Sequence, residues 1–185
     1  MRLLTLDLST RDVGWACDVG RNTPVYGLYK LPGMSNLGQL YAATRNMVEE
    51  LIDAHAPEGI LFCQALFRDQ QTAARALAGV QAITELVAYD NGIECWEANE
   101  PRARKAVLGR GTFADKNPDY GQKKPDGTRD QRMWVNGSKN AKLAVMNWAA
   151  RQGFVVPTHD VADALVLLRY GKVMRDQRVN PKDWR

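Results

Sequence analysis

The stretch Arg2-Leu3-Leu4-Thr5-Leu6-Asp7-Leu8-Ser9-Thr10-Arg11-Asp12-Val13-Gly14-Trp15-Ala16-Cys17 decides how this chain is read. Arg2 to Leu8 has the composition of a strand that starts almost at the N-terminus. Ser9-Thr10-Arg11-Asp12 is a cluster of turn formers, and Val13 to Cys17 is the return strand of a hairpin. Asp7 sits inside the first of these strands. Burying an unpaired carboxylate is costly, so at the end of a central strand its usual partner is a metal ion or a substrate group. The alternative is a strand-end Asp that faces water or caps the turn after it. The rest of the chain has to choose between them.

The 185 residues can form one domain with a real core, without disulfides or metals as staples. We expect a single domain over residues 1–185. A hydrophobic fraction of 45% and a charged fraction of 25% are those of a globular protein rather than a disordered one. No apolar run is long enough to span a membrane, and the short apolar start, interrupted by Asp7, lacks the layout of a signal peptide. No membrane partner is expected. Cys17, Cys63 and Cys95 are far apart, odd in number and without metal-type spacing. All three fall in strand-like stretches, which predicts buried free thiols and a cytoplasmic location. The net charge of +4 is unevenly spread. Residues 99–151 hold twelve Lys or Arg against five acids, and the remainder holds thirteen against sixteen. A basic segment on a slightly acidic body points to a polyanion partner, with a solvated charged loop as the alternative.

Pro24 to Lys30 alternates as a third strand. Ser35 can cap the following helix, in which Leu37, Leu40, Tyr41, Thr44, Met47, Val48, Leu51 and Ile52 recur at three-and-four spacing to about His55. Ile60 to Phe67 is a continuous apolar run interrupted by Gln64, the pattern of a strand in the middle of a covered sheet. Thr72 to Tyr89 reads as a long alanine-rich helix, apolar around most of its circumference, that packs on the sheet and on something else. Ile93 to Ala98 is the fifth strand, and Pro101 suits the first turn of a helix reaching Leu108. Gly109 to Gly137 is expected to be irregular, a basic insertion rich in Gly and Pro. Ser138 can cap a helix to about Gln152, and a last helix runs from about His159 to Arg175. Three strands followed by alternating helices and strands imply an α/β fold: a mixed five-stranded sheet with helices on both faces.

That last helix opens His159-Asp160-Val161-Ala162-Asp163-Ala164-Leu165, which puts Asp160 and Asp163 on one face of its first turn. First-turn Asp residues are commonplace on surface helices, but here the surroundings are Ala and Leu. If Asp7, Asp160 and Asp163 converge, they persist together only by binding divalent cations or by taking up protons. Oxygen-only donors select Mg²⁺ or Mn²⁺ over zinc. Two such ions form the apparatus for attack of water on a phosphodiester.

The strand order, the Asp on the first strand and Asp-x-x-Asp-Ala-Leu opening the final helix resemble the RuvC-type Holliday junction resolvases of the RNase H-like superfamily, with a texture nearest the phage-type members. The resemblance runs from Arg2 to about Tyr170, apart from the insertion. Phe62-Cys63-Gln64-Ala65-Leu66-Phe67 is similar to the family's fourth-strand motif, which carries a Glu where this chain has Gln64. Ala103-Arg104-Lys105-Ala106-Val107-Leu108-Gly109-Arg110-Gly111 is similar to its basic helix and Gly-rich turn, and Lys142-Leu143-Ala144-Val145 to its next helix.

This likeness implies a homodimeric endonuclease that resolves four-way DNA junctions with two Mg²⁺ or Mn²⁺ ions per active site and no small-molecule cofactor. Asp7, Asp160 and Asp163 would ligate the metals, Gln64 would stand at the fourth ligand position, and Lys142 would face the scissile phosphate. A Gln there implies a disarmed site, either through an inactivating substitution, which the otherwise complete site favours, or in a natural member that binds without cutting. Phe67 would stack on bases near the crossover, unless it packs in the core. Arg68, Arg75, Arg104, Lys105, Arg110, Lys139 and Lys142 would contact phosphates, and the alanine-rich helix would form the two-fold interface. Non-cleaving branched-DNA binding and a flap- or fork-selective nuclease are the alternatives.

Overall fold

The computed structural model describes residues 1–21, 23–32, 36–64, 71–126 and 128–177. The N-terminal stretch forms β1 (Leu3–Asp7) and β2 (Asp12–Cys17), and β3 (Val25–Lys30) pairs on the outer side of β2. Helix α1 (Leu37–His55) leads to β4 (Gly59–Cys63), and α2 (Gln71–Asp90) to β5 (Glu94–Ala98). After α3 (Glu100–Leu108) come two short strands, β6 (Asp115–Lys116) and β7 (Trp134–Val135), and then α4 (Gly137–Arg151) and α5 (His159–Asp176). The large sheet has the order β3-β2-β1-β4-β5. Its β1–β2 and β2–β3 pairs are antiparallel, and its β1–β4 and β4–β5 pairs are parallel. This is the expected mixed sheet, with helices on both faces.

Side-chain alternation divides the sheet into two cores. Leu4 and Leu6 of β1, Val13 and Cys17 of β2, and Ile60 and Phe62 of β4 face α1 and α2. Leu3, Ala16, Leu61 and Ala98 point the other way, toward α3, α4 and α5. Asp7 shares its face with Leu3 and Thr5, so it points toward α5. The Thr5 hydroxyl donates to the Ala164 carbonyl of α5 (2.8 Å), with the Ala16 carbonyl at 3.1 Å, which satisfies a polar group buried at the interface.

Helix α5 lies between the sheet and the helices α3 and α4. Every residue from Val161 to Leu168 is buried, which is why its sequence is apolar almost all round. A close approach lies at Gly14, which pairs with Asp7 across β1 and β2. A Cβ on Gly14 would stand 2.0 Å from the Asp160 carbonyl oxygen and 2.6 Å from the Val161 nitrogen. Only a residue without a side chain lets the first turn of α5 rest on the sheet here.

Several local expectations shift. Asn36 caps α1, its side chain accepting from the Gln39 amide at 3.0 Å, while Ser35 lies outside the described residues. Ser138 does not cap α4. Asn136 occupies that position with φ of 60° and no side-chain cap bond, and Ser138 is already helical. β4 ends at Cys63, one residue before Gln64, although the Gln64 amide still donates to the Ala98 carbonyl at 2.9 Å. The segment between α3 and α4 is not wholly irregular. β6 and β7 pair antiparallel, Lys123 bridges Arg129, and the Arg132 guanidinium clasps the buried Asp130.

Gly14→Ala tests the central packing. The new methyl group meets backbone, which has no rotamer to adopt, so α5 must lift. The expected loss is about 2–3 kcal/mol, a fall of roughly 5–10 °C in the melting midpoint by circular dichroism. A variant that melts with the parent protein would show that α5 does not depend on this contact.

Candidate active site

Strands β1, β4 and β5 run parallel and end at the same edge of the sheet, on Asp7, Cys63 and Ala98. Crevices outside the carboxyl ends of parallel strands are where α/β sheets place ligands. A cleft of about 620 Å³ opens there. Asp7, Asp160 and Asp163 line it with Lys142, so the three expected carboxylates and the expected lysine come together. The Thr158 side chain caps α5 by accepting from the Val161 amide, which fixes the turn that carries Asp160. One wall of the cleft comes from the α3–α4 segment, through Thr112, Phe113, Trp134 and Val135.

Two further residues complete the polar floor. Glu100 and Arg104 are one helical turn apart in α3 and both line the cleft. The Arg104 guanidinium forks onto Asp163, with Nη2 at 2.9 and 3.0 Å from the two carboxylate oxygens and Nε at 3.1 Å from the nearer one. The same guanidinium pairs with Glu100. Asp163 is only 5% exposed, so this pairing is what makes its burial tolerable. Among the described residues, Asp7 has no hydrogen bond or ion pair to its carboxylate. Asp160 lies 3.4 Å from His159 Nε2.

Four carboxylates against two fixed cations leave the cleft short of positive charge. Burial, with help from Asp163, Glu100 and Asp160, pushes the Asp7 carboxyl well above the usual range, and Arg104 offsets part of this. Burial also pushes Asp163 up to about 7, against the pull of Arg104 and with a further push from Glu100 and Asp160. The Cys63 thiol is raised well above its ordinary value by burial and by Asp7, Glu100 and Asp163, so it offers no thiolate near neutral pH.

The donor set suits a hard divalent cation: carboxylate oxygens, one of them with no partner, in a negative cleft. Among the described residues, no three acidic, His or Cys side chains are already gathered closely enough to hold an ion. The Arg104 guanidinium stands between Asp163 and Glu100 and pairs with both.

The other expected site residues are spread out. Gln64 is exposed and is not among the residues lining the cleft. The β1–β4 register, extended by one step, sets Cys63 beside Asp7. Arg104 is largely buried against carboxylates rather than displayed for phosphates. Lys105 and Lys139 are exposed, and Arg110 is exposed with its guanidinium 4.6 Å over the Phe113 ring. Arg75 is exposed on α2, which covers the opposite face of the sheet. Phe67 and Arg68 lie outside the described residues. Sequence reasoning missed Glu100, His159, Phe113 and Trp134. Glu100 had a partial signal: an acid two residues past a strand that runs parallel with β4 and β1 lies at the same edge of the sheet as Asp7.

The raised carboxyls predict a pH dependence. An acid whose pKa is higher in the folded state binds more protons there than in the unfolded chain. Stability therefore falls as pH rises from about 4 to about 7. In the presence of a chelator, the melting midpoint should drop by roughly 5 °C between pH 5 and pH 8. Asp163→Asn should remove at least half of that drop. An unchanged slope in the variant would mean that Asp163 is not the strained group.

The sequence matches no family model and no curated protein. The fold does match solved structures along nearly its whole length. A RuvC of T. thermophilus in complex with a Holliday junction substrate superposes with a TM-score of 0.65 at 13% identity, covering 96% of each chain. Another Thermus thermophilus RuvC structure gives 0.66 at 15% identity, covering 97% of this chain and 98% of that one. The yeast mitochondrial Holliday junction resolvase Ydc2 gives 0.59 at 8% identity, covering 95% of this chain and 82% of the other. Likeness at these identities speaks for the fold. By that measure, the chain has the RNase H-like fold of the RuvC-type Holliday junction resolvases.

Proposed function

We propose that this protein is a structure-selective endonuclease that resolves four-way DNA junctions by divalent-metal-assisted hydrolysis of phosphodiesters. The observation that carries this reading is the convergence of Asp7, Asp160 and Asp163 in one cleft at the carboxyl edge of the sheet. A chain of the same fold solved on a Holliday junction substrate supports the choice of DNA.

Asp7, Asp160 and Asp163 would hold Mg²⁺ or Mn²⁺, two ions per active site. When bound, these ions make the attacking water more acidic and neutralise charge on the leaving oxygen. Lys142 has no ion-pair partner among the described residues and lines the cleft, where its ammonium would meet a phosphate oxygen. Lys105, Arg110 and Lys139 supply exposed positive charge for the DNA backbone, as do Lys123, Lys124 and Arg129 in the α3–α4 segment. A homodimer joined through α2 suits symmetric cutting of a junction. Leu86 and Tyr89 on that helix are 50% and 81% exposed, an apolar surface for a second copy to cover. A cytoplasmic site of action suits three free cysteines.

Gln64 divides two versions of this reading. If residue 64 is the fourth ligand position, the chain binds junctions and cuts poorly. If it is not, the chain is competent as it stands, and the exposure of Gln64 outside the cleft favours that second version.

Cleavage of four-way, flap and plain duplex DNA in Mg²⁺ or Mn²⁺, by the chain itself and by Gln64→Glu, separates the possibilities. Cutting confined to four-way junctions is expected. Asp163→Asn should reduce it by at least about a hundredfold while junction binding persists. Equal cutting of flaps would reassign the substrate, and binding without cutting in both versions would make this a non-cleaving branched-DNA protein.

A further inference from the structure

We infer that Glu100 is a metal-binding residue of this cleft, gripping a divalent cation jointly with Asp163 in the place now held by the Arg104 guanidinium. This rests on the metal-dependent reading of the site and deepens it. It assigns the fourth carboxylate to α3 rather than to the end of β4.

The placement follows from the topology. β5 is parallel to β4 and β1, so its carboxyl end lies at the edge where Asp7 stands. Asn99 follows that strand directly and caps α3, its side chain accepting from the Arg102 amide at 3.0 Å. Glu100 is the first residue of that helix, held to the cleft by a rigid element at each side. Its carboxylate is close enough to act on both Asp7 and Asp163, and it lines the cleft that Gln64 does not.

The second observation is the guanidinium itself. Arg104 bridges Asp163 and Glu100 at once, so these two carboxylates already converge on a single positive charge. A guanidinium and a hard dication compete for the same oxygen pairs, and the dication, with about six oxygen ligands or more, has room for Asp7 and water in its shell as well. Exchange of one cation for the other would free Arg104 within the cleft, where a phosphate oxygen is a suitable new partner. A neutral residue at position 64 then costs the site nothing, because the charge it lacks is supplied from the neighbouring strand's end.

The test is Mn²⁺ binding to the intact chain, measured by calorimetry and by the electron-spin-resonance signal of free Mn²⁺, with folding verified by circular dichroism. Glu100→Gln keeps the shape of the side chain and should weaken Mn²⁺ binding at least about tenfold. Glu94→Gln, on the exposed start of β5, should not. Arg104→Met removes the competing cation and should tighten binding severalfold. In that background Glu100→Gln should still weaken it. A tenfold loss that disappears in the Arg104→Met background would overturn the inference, since Glu100 would then act only by holding the arginine. Unchanged affinity in Glu100→Gln, with binding lost in Asp7→Asn, would also overturn it and leave the rest of the metal site standing. Full affinity in Asp7→Asn and Asp163→Asn would instead remove the metal-dependent reading on which it rests.

Discussion

Helix α5 lies on the sheet at Gly14 with no room for a single methyl group, and much of the molecule depends on that contact. It brings the first turn of α5 against the end of β1, so that residues far apart in sequence share one cleft. It also leaves α5 covered by α3 and α4 on its outer side, which accounts for the burial of Asp163. Small residues on both surfaces make the approach feasible: Gly14 and Ala16 on β2, Ala162 and Ala164 on α5. The Thr5 hydroxyl then ties strand to helix where a fully apolar contact would specify the register less sharply.

Such close packing concentrates negative charge. Carboxylates brought together in a buried place oppose folding unless something compensates. Here the compensation is partial and comes mainly from Arg104. Arg104 satisfies Asp163 and Glu100, while Asp7 keeps a carboxylate with no bonding partner among the described residues. At this edge of the sheet, burial and mutual repulsion of carboxylates run against local stability. That pattern is expected where binding, rather than folding, sets the residues.

Much of this was legible in the chain itself. The Arg2–Cys17 hairpin, the order of elements and the pairing of Asp160 with Asp163 follow from hydrophobic alternation and helical spacing, which are local signals. What escaped was tertiary. Gly14 looks like any glycine in a strand until the backbone of α5 is placed on it. Glu100 looks like an ordinary first-turn acid that favours the helix dipole. Its place in the cleft depends on where the end of β5 lies relative to β1, which no local window contains. Arg104 reads as one of several surface cations because its partners come from α5 as well as from its own helix. The α3–α4 segment reads as loop because its two strands are only two residues each and its order comes from polar bonds such as Asp130 with Arg132.

That segment holds itself together. Asn117 donates to the Arg132 carbonyl, the Lys124 amide to the Thr128 carbonyl, and Arg132 clasps Asp130, all within the same stretch. Yet Trp134 and Val135 at its end form a wall of the cleft. Asp7, Asp160 and Asp163 are set by the sheet and α5, and Glu100 by the start of α3, whereas part of the opening is walled by a unit held between α3 and α4. Lengthening, shortening or exchanging this unit would change what enters the cleft while the elements that carry the acids stay in place.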